Sequence, residues 1–321
     1  MGPESPLASP AIGTAANDLI KPCRAEGQPR PSRPPAPEDQ PALAVAFSGG
    51  GFRATLAAVG VGRFLADAGL LGRVRYLSSV SGGSLANGLI ACAWDDLTAS
   101  RFSREAYDRL VASPLVDKIS KESLTVTLVR NIWKTIGPST RTDLLAEYFD
   151  RWFLNGKRLE DLSPIVRWVF SAANVTTGVR FGFEREVIGD WVLGRIPTAG
   201  TGIRVAQAAA ASAAVPGAFA PMKLAHSFPC AKGRKAVLLD GGAYDNLGLE
   251  VIDDLRKEFL VCLNAGGVFQ TGASRRIPVL RDLSRANALL YRQTMALRMR
   301  TMVERMQESE RALQLGQESP R

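Results

Sequence analysis

Five consecutive apolar residues, Leu43-Ala44-Val45-Ala46-Phe47, stand between a Pro-rich stretch and the side-chain-poor run Ser48-Gly49-Gly50-Gly51. A short apolar run bounded by turn residues predicts a buried strand and a sharp turn, and residues 53–68 then read as a helix. The same order recurs downstream. Val74-Arg75-Tyr76-Leu77 predicts a second strand, Ser79-Val80-Ser81-Gly82-Gly83 a tight turn, and residues 84–94 a helix. Further strands are predicted at 165–170 and 180–183, around Asn174-Val175-Thr176-Thr177-Gly178, and at 236–239 and 260–264. An Ala-rich helix is predicted at 205–214, stopped by Pro216-Gly217. Alternating strands and helices predict an α/β fold with a mainly parallel central sheet and helices on both faces.

Two regions carry a helical rather than a strand period. Residues 100–163 read as a helical insertion or lid, in which Leu124, Leu128, Ile132 and Ile136 share one side with Arg130 and Lys134 between them. Ile132, Trp133 and Ile136 beside Lys134 would suit a lipid interface, although amphipathicity alone favours ordinary core packing. Near the C-terminus Met295, Met299, Met302 and Met306 recur at spacings of four, three and four, which is one helix face. That face fits a core or coiled-coil seam, or a helix lying on a membrane. The resulting division is a disordered Pro-rich tail (1–42), an α/β domain (43–270) and a basic amphipathic C-terminal helix (274–321).

Charge and composition narrow the partners. Lys+Arg 40 against Asp+Glu 31 leaves +9, and the segment from Ser274 holds ten Arg against five acids. Such a surplus favours an acidic lipid surface, nucleic acid or an acidic protein face. The four cysteines, at 23, 92, 230 and 262, form no CxxC, so no zinc knuckle or redox pair is expected and they read as free thiols in a reducing compartment. A single histidine, His226, rules out a His-rich metal site; no metal and no cofactor are expected. No basic stretch followed by an apolar run opens the chain, and no segment reaches the roughly 18 to 20 apolar residues of a spanning helix. The expected location is cytoplasmic, or peripheral at a membrane.

The candidate chemistry sits in the turns. Ser81 occupies the apex between a strand and a helix, with Gly82 and Gly83 leaving room, as a nucleophile on a strained elbow requires. Ser78 and Ser79 would still be leaving the strand and Ser84 would lie in the helix. Gly49, Gly50 and Gly51 offer consecutive unobstructed amides suited to a tetrahedral oxyanion, with Arg53 adding a positive charge nearby. A phosphate-cradling loop is the competing reading of these glycines, but the run lacks the Lys-Ser/Thr of a Walker motif and the order of a dinucleotide fingerprint. Asp240 ends a strand before Gly241 and Gly242, which places its carboxylate at the strand-end edge where ligands of open α/β sheets bind.

Taken together, Ser48-Gly49-Gly50-Gly51-Phe52-Arg53, Ser79-Val80-Ser81-Gly82-Gly83 and Asp240-Gly241-Gly242 resemble, in kind and in order, the blocks of patatin-like phospholipases and the related cytosolic phospholipases. The stretch from Ser212 to Pro221 is similar to the family's S-x-A-x-P-x-x-F-x-P segment. The resemblance covers about residues 43–265 and implies a three-layer sandwich with a Ser81–Asp240 dyad that needs no histidine. Gly49 to Gly51 would then form the oxyanion hole, and Arg53 would assist there or contact phosphate. It further implies a phospholipase A or lysophospholipase activity on a phospholipid or other acyl lipid, at a peripheral membrane surface, with nucleic acid not expected. Ser79, where the usual elbow has Gly, and Tyr244 after the aspartate depart from the pattern. The alternative is a catalytically weak or inactive scaffold that binds acidic membranes or nucleic acid through its basic C-terminal segment. A serine peptidase using His226 is a third reading, disfavoured because that histidine falls in a Pro-flanked loop.

Overall fold

Leu43–Phe47 (β1) is buried along its whole length, and its side chains alternate between two cores. Leu43, Val45 and Phe47 enter the larger one, together with apolar residues of the helices Gly51–Asp67 (α1) and Gly82–Cys92 (α2). Ala44 and Ala46 point into a smaller one. This is the period-two division that a strand between two layers demands. A computed structural model describes residues 21–35, 41–122, 140–252, 259–266 and 278–315, and structural statements refer to these.

Eight more strands follow: Val74–Val80 (β2), Arg167–Asn174 (β3), Val179–Glu184 (β4), Val187–Asp190 (β5), Gly194–Pro197 (β6), Met222–Lys223 (β7), Val237–Asp240 (β8) and Phe259–Leu263 (β9). They form one sheet in the order β6-β5-β4-β3-β2-β1-β9, with β8 on β3 and β7 on β8. The strands β9, β1, β2 and β3 run parallel, as the alternation predicted. Beyond β3 the sheet meanders antiparallel through β4, β5 and β6. Neither β5, β6 nor β7 is visible as an apolar run. Gly189, Gly194 and Pro197 interrupt the first two, and the buried Asp190 carboxylate holds their hairpin by accepting from the amides of Val192 and Leu193.

After Trp94–Ala99 (α3), the described parts of residues 100–163 are largely helical: Arg104–Tyr107 (α4), a π-turn over Asp108–Ala112, Ser113–Lys121 (α5) and Arg141–Phe149 (α6). Tyr107, Leu115, Leu145 and Phe149 are buried in the main core. The expected amphipathic face of Leu124, Leu128, Ile132 and Ile136 lies outside the described residues. Val205–Ser212 (α7) and the short Gly242–Asp245 (α8) precede the C-terminal helix Pro278–Gln314 (α9). Three of the four methionines on its face, Met295, Met299 and Met302, pack on Ala44, Ala46 and Tyr76 in the smaller core, while Met306 stays exposed. Leu247, Leu249 and Ile252 complete this cluster, so most of the methionine face serves packing.

Two expectations about the N-terminal region are corrected. Cys23 and Cys230 form a disulfide, so only Cys92 and Cys262 are free thiols. Disulfides belong to oxidising surroundings, so the reducing-compartment reading loses its ground. The segment 21–35, expected as disordered tail, lies along the β5–β6 end of the sheet. The Cys23 amide donates to Trp191 O (2.8 Å), Gln28 Oε1 accepts from the Arg195 amide (3.0 Å), and Ser32 donates from its amide to Glu186 (2.7 Å). Composition correctly reports too little apolar surface for ordering. It does not register a covalent anchor and side-chain bonds that cover a sheet edge.

Thiol titration of the unreduced, denatured protein should count two reactive cysteines, rising to four after reduction. Cys230→Ser should lower the unfolding free energy by about 2–4 kcal/mol in denaturant melts.

Candidate active site

Strands β2 and β8 meet end to end against one flank of β3. Val80 pairs with Ser171 in the parallel ladder, and Asp240 pairs with the next residue, Ala172, in the antiparallel one. The residue after β2 is Ser81 and the last of β8 is Asp240, so both emerge at the same point. In the otherwise mainly parallel centre of the sheet β8 runs antiparallel to β3, and this brings hydroxyl and carboxyl together.

Ser81 passes directly from strand to helix at φ 53° and ψ −123°, a conformation that costs a non-glycine residue on the order of 1–3 kcal/mol. A buried serine network holds it. The Ser81 amide donates to Ser212 Oγ (2.9 Å), and Ser212 donates to the Ser171 carbonyl (2.6 Å). Ser84 Oγ lies 2.9 Å from Ser212 Oγ and donates to Ser79 Oγ at 3.0 Å, which joins the serines of the elbow in one buried cluster. Ser79, which stands where glycine was expected, is fully buried in the same network. It bonds the Val169 carbonyl (3.1 Å) and accepts from Asn87 Nδ2 (2.8 Å), so it ties β2 to β3 and α2 and leaves the elbow unobstructed.

The glycine corners converge on this point. A Cβ on Gly49 would stand 3.2 Å from Ser81 Cβ and 2.3 Å from Asn246 Oδ1, and one on Gly82 would stand 2.0 Å from the Gly51 carbonyl. Only glycine permits either approach. Gly83 lies against the Phe47 carbonyl and Gly241 against that of Ser171. Gly242 is crowded by Asn246 Oδ1 and by the ring of Tyr291, a residue of α9. Asn246 therefore sits between the Gly49 and Gly242 turns.

Burial dominates the electrostatics of Asp240, which is 1% exposed: loss of solvent pushes its pKa up to about 6. Three groups oppose the shift by favouring the carboxylate: the Ser81 hydroxyl, the Gly242 amide, bonded to Oδ1 at 2.8 Å, and the Tyr291 hydroxyl. Oδ2 holds no full hydrogen bond among the described residues, leaving it able to take a proton.

Of the predicted oxyanion donors, Gly49 is withdrawn, because its amide already donates to Asn246 O at 2.9 Å. The amides of Gly50 and Gly51 make no hydrogen bond among the described residues and belong to the exposed start of α1. Their positive φ angles, 144° and 63°, are reached readily only by glycine. Arg53, one turn on, reaches the Ala265 carbonyl (3.4 Å) at the end of β9. Tyr244 faces away from this chemistry; burial, with Glu250 next, pushes its hydroxyl up to about 12. His226 is half-buried near the Thr201 carbonyl and takes no part. No group of His, Cys, Asp and Glu fit to hold a metal occurs among the described residues.

Sequence reasoning missed Ser212, Asn246 and Tyr291. Ser212 opens the Ser-Pro-Phe-Pro stretch, whose order was noted without its contact to the elbow. Asn246 follows Asp240 at a spacing that gives no local sign, and Tyr291 had no signal beyond lying one turn before the methionine face.

Among solved structures the chain is similar to human GIVD cytosolic phospholipase A2 in complex with methyl gamma-linolenyl fluorophosphonate, at 19% identity and a TM-score of 0.36 over 49% of this chain and 25% of that one. It is also similar to a second structure, described as human GIVD cytosolic phospholipase A2, at 18% identity and a TM-score of 0.33 over 49% and 24%. The chain thus spans about a quarter of the length of these structures. No curated protein matches. The family model described as patatin-like phospholipase matches residues 45–253, which is more than half the chain and includes both Ser81 and Asp240. This chain belongs to the patatin-like phospholipase family.

Proposed function

We propose that the protein is a serine acyl hydrolase that cleaves a fatty acyl ester of a phospholipid or lysophospholipid through a Ser81–Asp240 dyad. One observation carries the reading: a strained elbow serine and a buried carboxyl emerge from head-on strand ends at adjacent positions of β3. Ser81 Oγ attacks the ester carbonyl while its proton passes to Asp240. The tetrahedral oxyanion is held by the amides of Gly50 and Gly51, and the positive end of α2 favours the developing negative charge. Asp240 returns the proton to the leaving alcohol. Water then attacks the acyl-enzyme with Asp240 again as base, releasing the fatty acid.

A carboxylate with an ordinary pKa near 4 is a weak base at neutral pH; one raised to about 6 is better matched to the serine and is still ionised at pH 7. The second part of the proposal is contact with an acidic lipid surface. Leu289, Leu290 and Leu297 are exposed on α9 among the arginines at 285, 292 and 300, which pairs apolar side chains with positive charge.

A fluorophosphonate probe should label the wild type, and Ser81→Ala should abolish labelling; label persisting on that variant would refute the assignment. Asp240→Asn should cut acyl release by about 100- to 10,000-fold. In the wild type kcat/KM should fall tenfold per unit below about pH 6, as the base becomes protonated.

Stability should show the opposite sign. A carboxyl raised in the folded state favours folding below about pH 4 and opposes it above about pH 6. Asp240→Asn should therefore stabilise the protein by about 2–3 kcal/mol at pH 8 and by little at pH 4, measured by denaturant melts.

Leu289→Ser with Leu290→Ser should weaken sedimentation with phosphatidylserine vesicles while leaving hydrolysis of a monomeric ester intact. Unchanged sedimentation would remove the membrane role. Vesicle binding by a wild type that releases no fatty acid would instead favour the scaffold reading.

A further inference from the structure

The smaller core brings α9 across the turn that follows Asp240. The helix lies wholly outside the family-matched residues 45–253, yet one of its side chains reaches the candidate site. A Cβ on Gly242 would stand 2.3 Å from Tyr291 Cε1 and 2.7 Å from Cδ1, so the tyrosine ring occupies the space that any other residue at 242 would need. The Tyr291 hydroxyl is buried although the residue as a whole is only half-buried.

Two contacts further along the same face fix the rotation of the helix. Met295 Sδ lies 3.1 Å from where a Gly266 Cβ would stand, and Arg298 bonds Glu250 at 3.1 Å, with Asp245 at 4.0 Å. Positions 291, 295 and 298 follow the i, i+4, i+7 spacing of one helical stripe.

We infer that Tyr291 is a positioning residue for Asp240: docked through Met295 and Arg298, it presses on Gly242 and holds the carboxyl toward Ser81. The inference rests on the dyad proposed above. It makes the C-terminal helix part of the catalytic apparatus, although its sequence carries no hydrolase motif.

The groups around Asp240 explain why a neutral hydroxyl matters there. Ser81 faces it from the elbow, the Gly242 amide from α8 and Tyr291 from α9, while β3 contributes Ala172 and the preceding segment the Ala214 carbonyl, which accepts the Asp240 amide. No charged side chain acts on the carboxyl in this set. The Gly242 amide makes the one full hydrogen bond to the carboxyl, and the Ser81 and Tyr291 hydroxyls face it and favour its ionised form against the effect of burial.

The test is Tyr291→Phe, which keeps the ring against Gly242 and removes only the hydroxyl. The pH dependence of fluorophosphonate labelling should shift its acid limb upward by about one unit, with the rate recovering toward wild type at high pH. Leu297→Ala, on the exposed face of the same helix and away from this docking, should leave the limb in place. A lower rate at every pH with an unmoved limb in Tyr291→Phe would reduce Tyr291 to a packing residue and overturn the inference. The Asp240 carboxyl carbon, followed by NMR in 13C-Asp-labelled protein and assigned with Asp240→Asn, gives the same answer without turnover. Failure of the wild type to react with the probe would refute the dyad, whereas an unshifted Asp240 titration in Tyr291→Phe would refute the role of Tyr291.

Discussion

The structure turns on the flank of β3 that two strands share. Parallel β2 uses its first part and antiparallel β8 its last, and the change of partner falls between Ser171 and Ala172. A hydrogen-bonded ladder fixes each strand to within one residue, since a slip of one would turn every side chain to the opposite face. The relative position of Ser81 and Asp240 is thus set by backbone pairing in the middle of the sheet. Flexible side chains do not have to find one another across a cleft. The close glycine approaches follow from the same crowding: four chain segments enter one place, and side chains are excluded where backbones meet.

Such a site has a local energetic cost. Ser81 keeps a backbone conformation that few side chains tolerate, and Asp240 keeps a carboxyl away from solvent. Both are over-determined by their surroundings, the first by the Ser212 and Ser84 hydroxyls and the second by the Gly242 turn with Tyr291 against it. The large core on one side of the sheet and the methionine seam on the other hold that strained centre between two packed layers.

The parts of this arrangement that were legible in the sequence are those in which chemistry and local geometry coincide. Ser81 between an apolar run and two glycines, and Asp240 before two more, reveal turns because few other residue types can make them. The strands β1 and β2 were legible for the same reason. The direction of β8 was not, because a four-residue apolar run reads identically in either orientation and the long passage from α7 through β7 sets it. Nor was the withdrawal of Gly49, whose amide is taken by the carbonyl of Asn246, almost two hundred positions away. The Cys23–Cys230 bond was invisible on the same principle: spacing reveals local motifs, and this pairing spans most of the chain.

The C-terminal helix shows how one pattern can carry several roles. Its methionine periodicity was compatible with a seam or a membrane face, and the structure divides the residues by their angular position. Met295, Met299 and Met302 turn toward the sheet, while Leu289, Leu290, Leu297 and Met306 remain outside. Arg298 belongs to the inner face, where it bonds Glu250, so the arginine surplus of this segment is not all available to an acidic surface. Deleting the helix would therefore remove a layer of the smaller core, a contact beside Asp240 and any lipid-facing side chains at once. Loss of activity after such a truncation would say nothing about membranes; only substitutions confined to one face can separate the helix that supports the site from the helix that meets a surface.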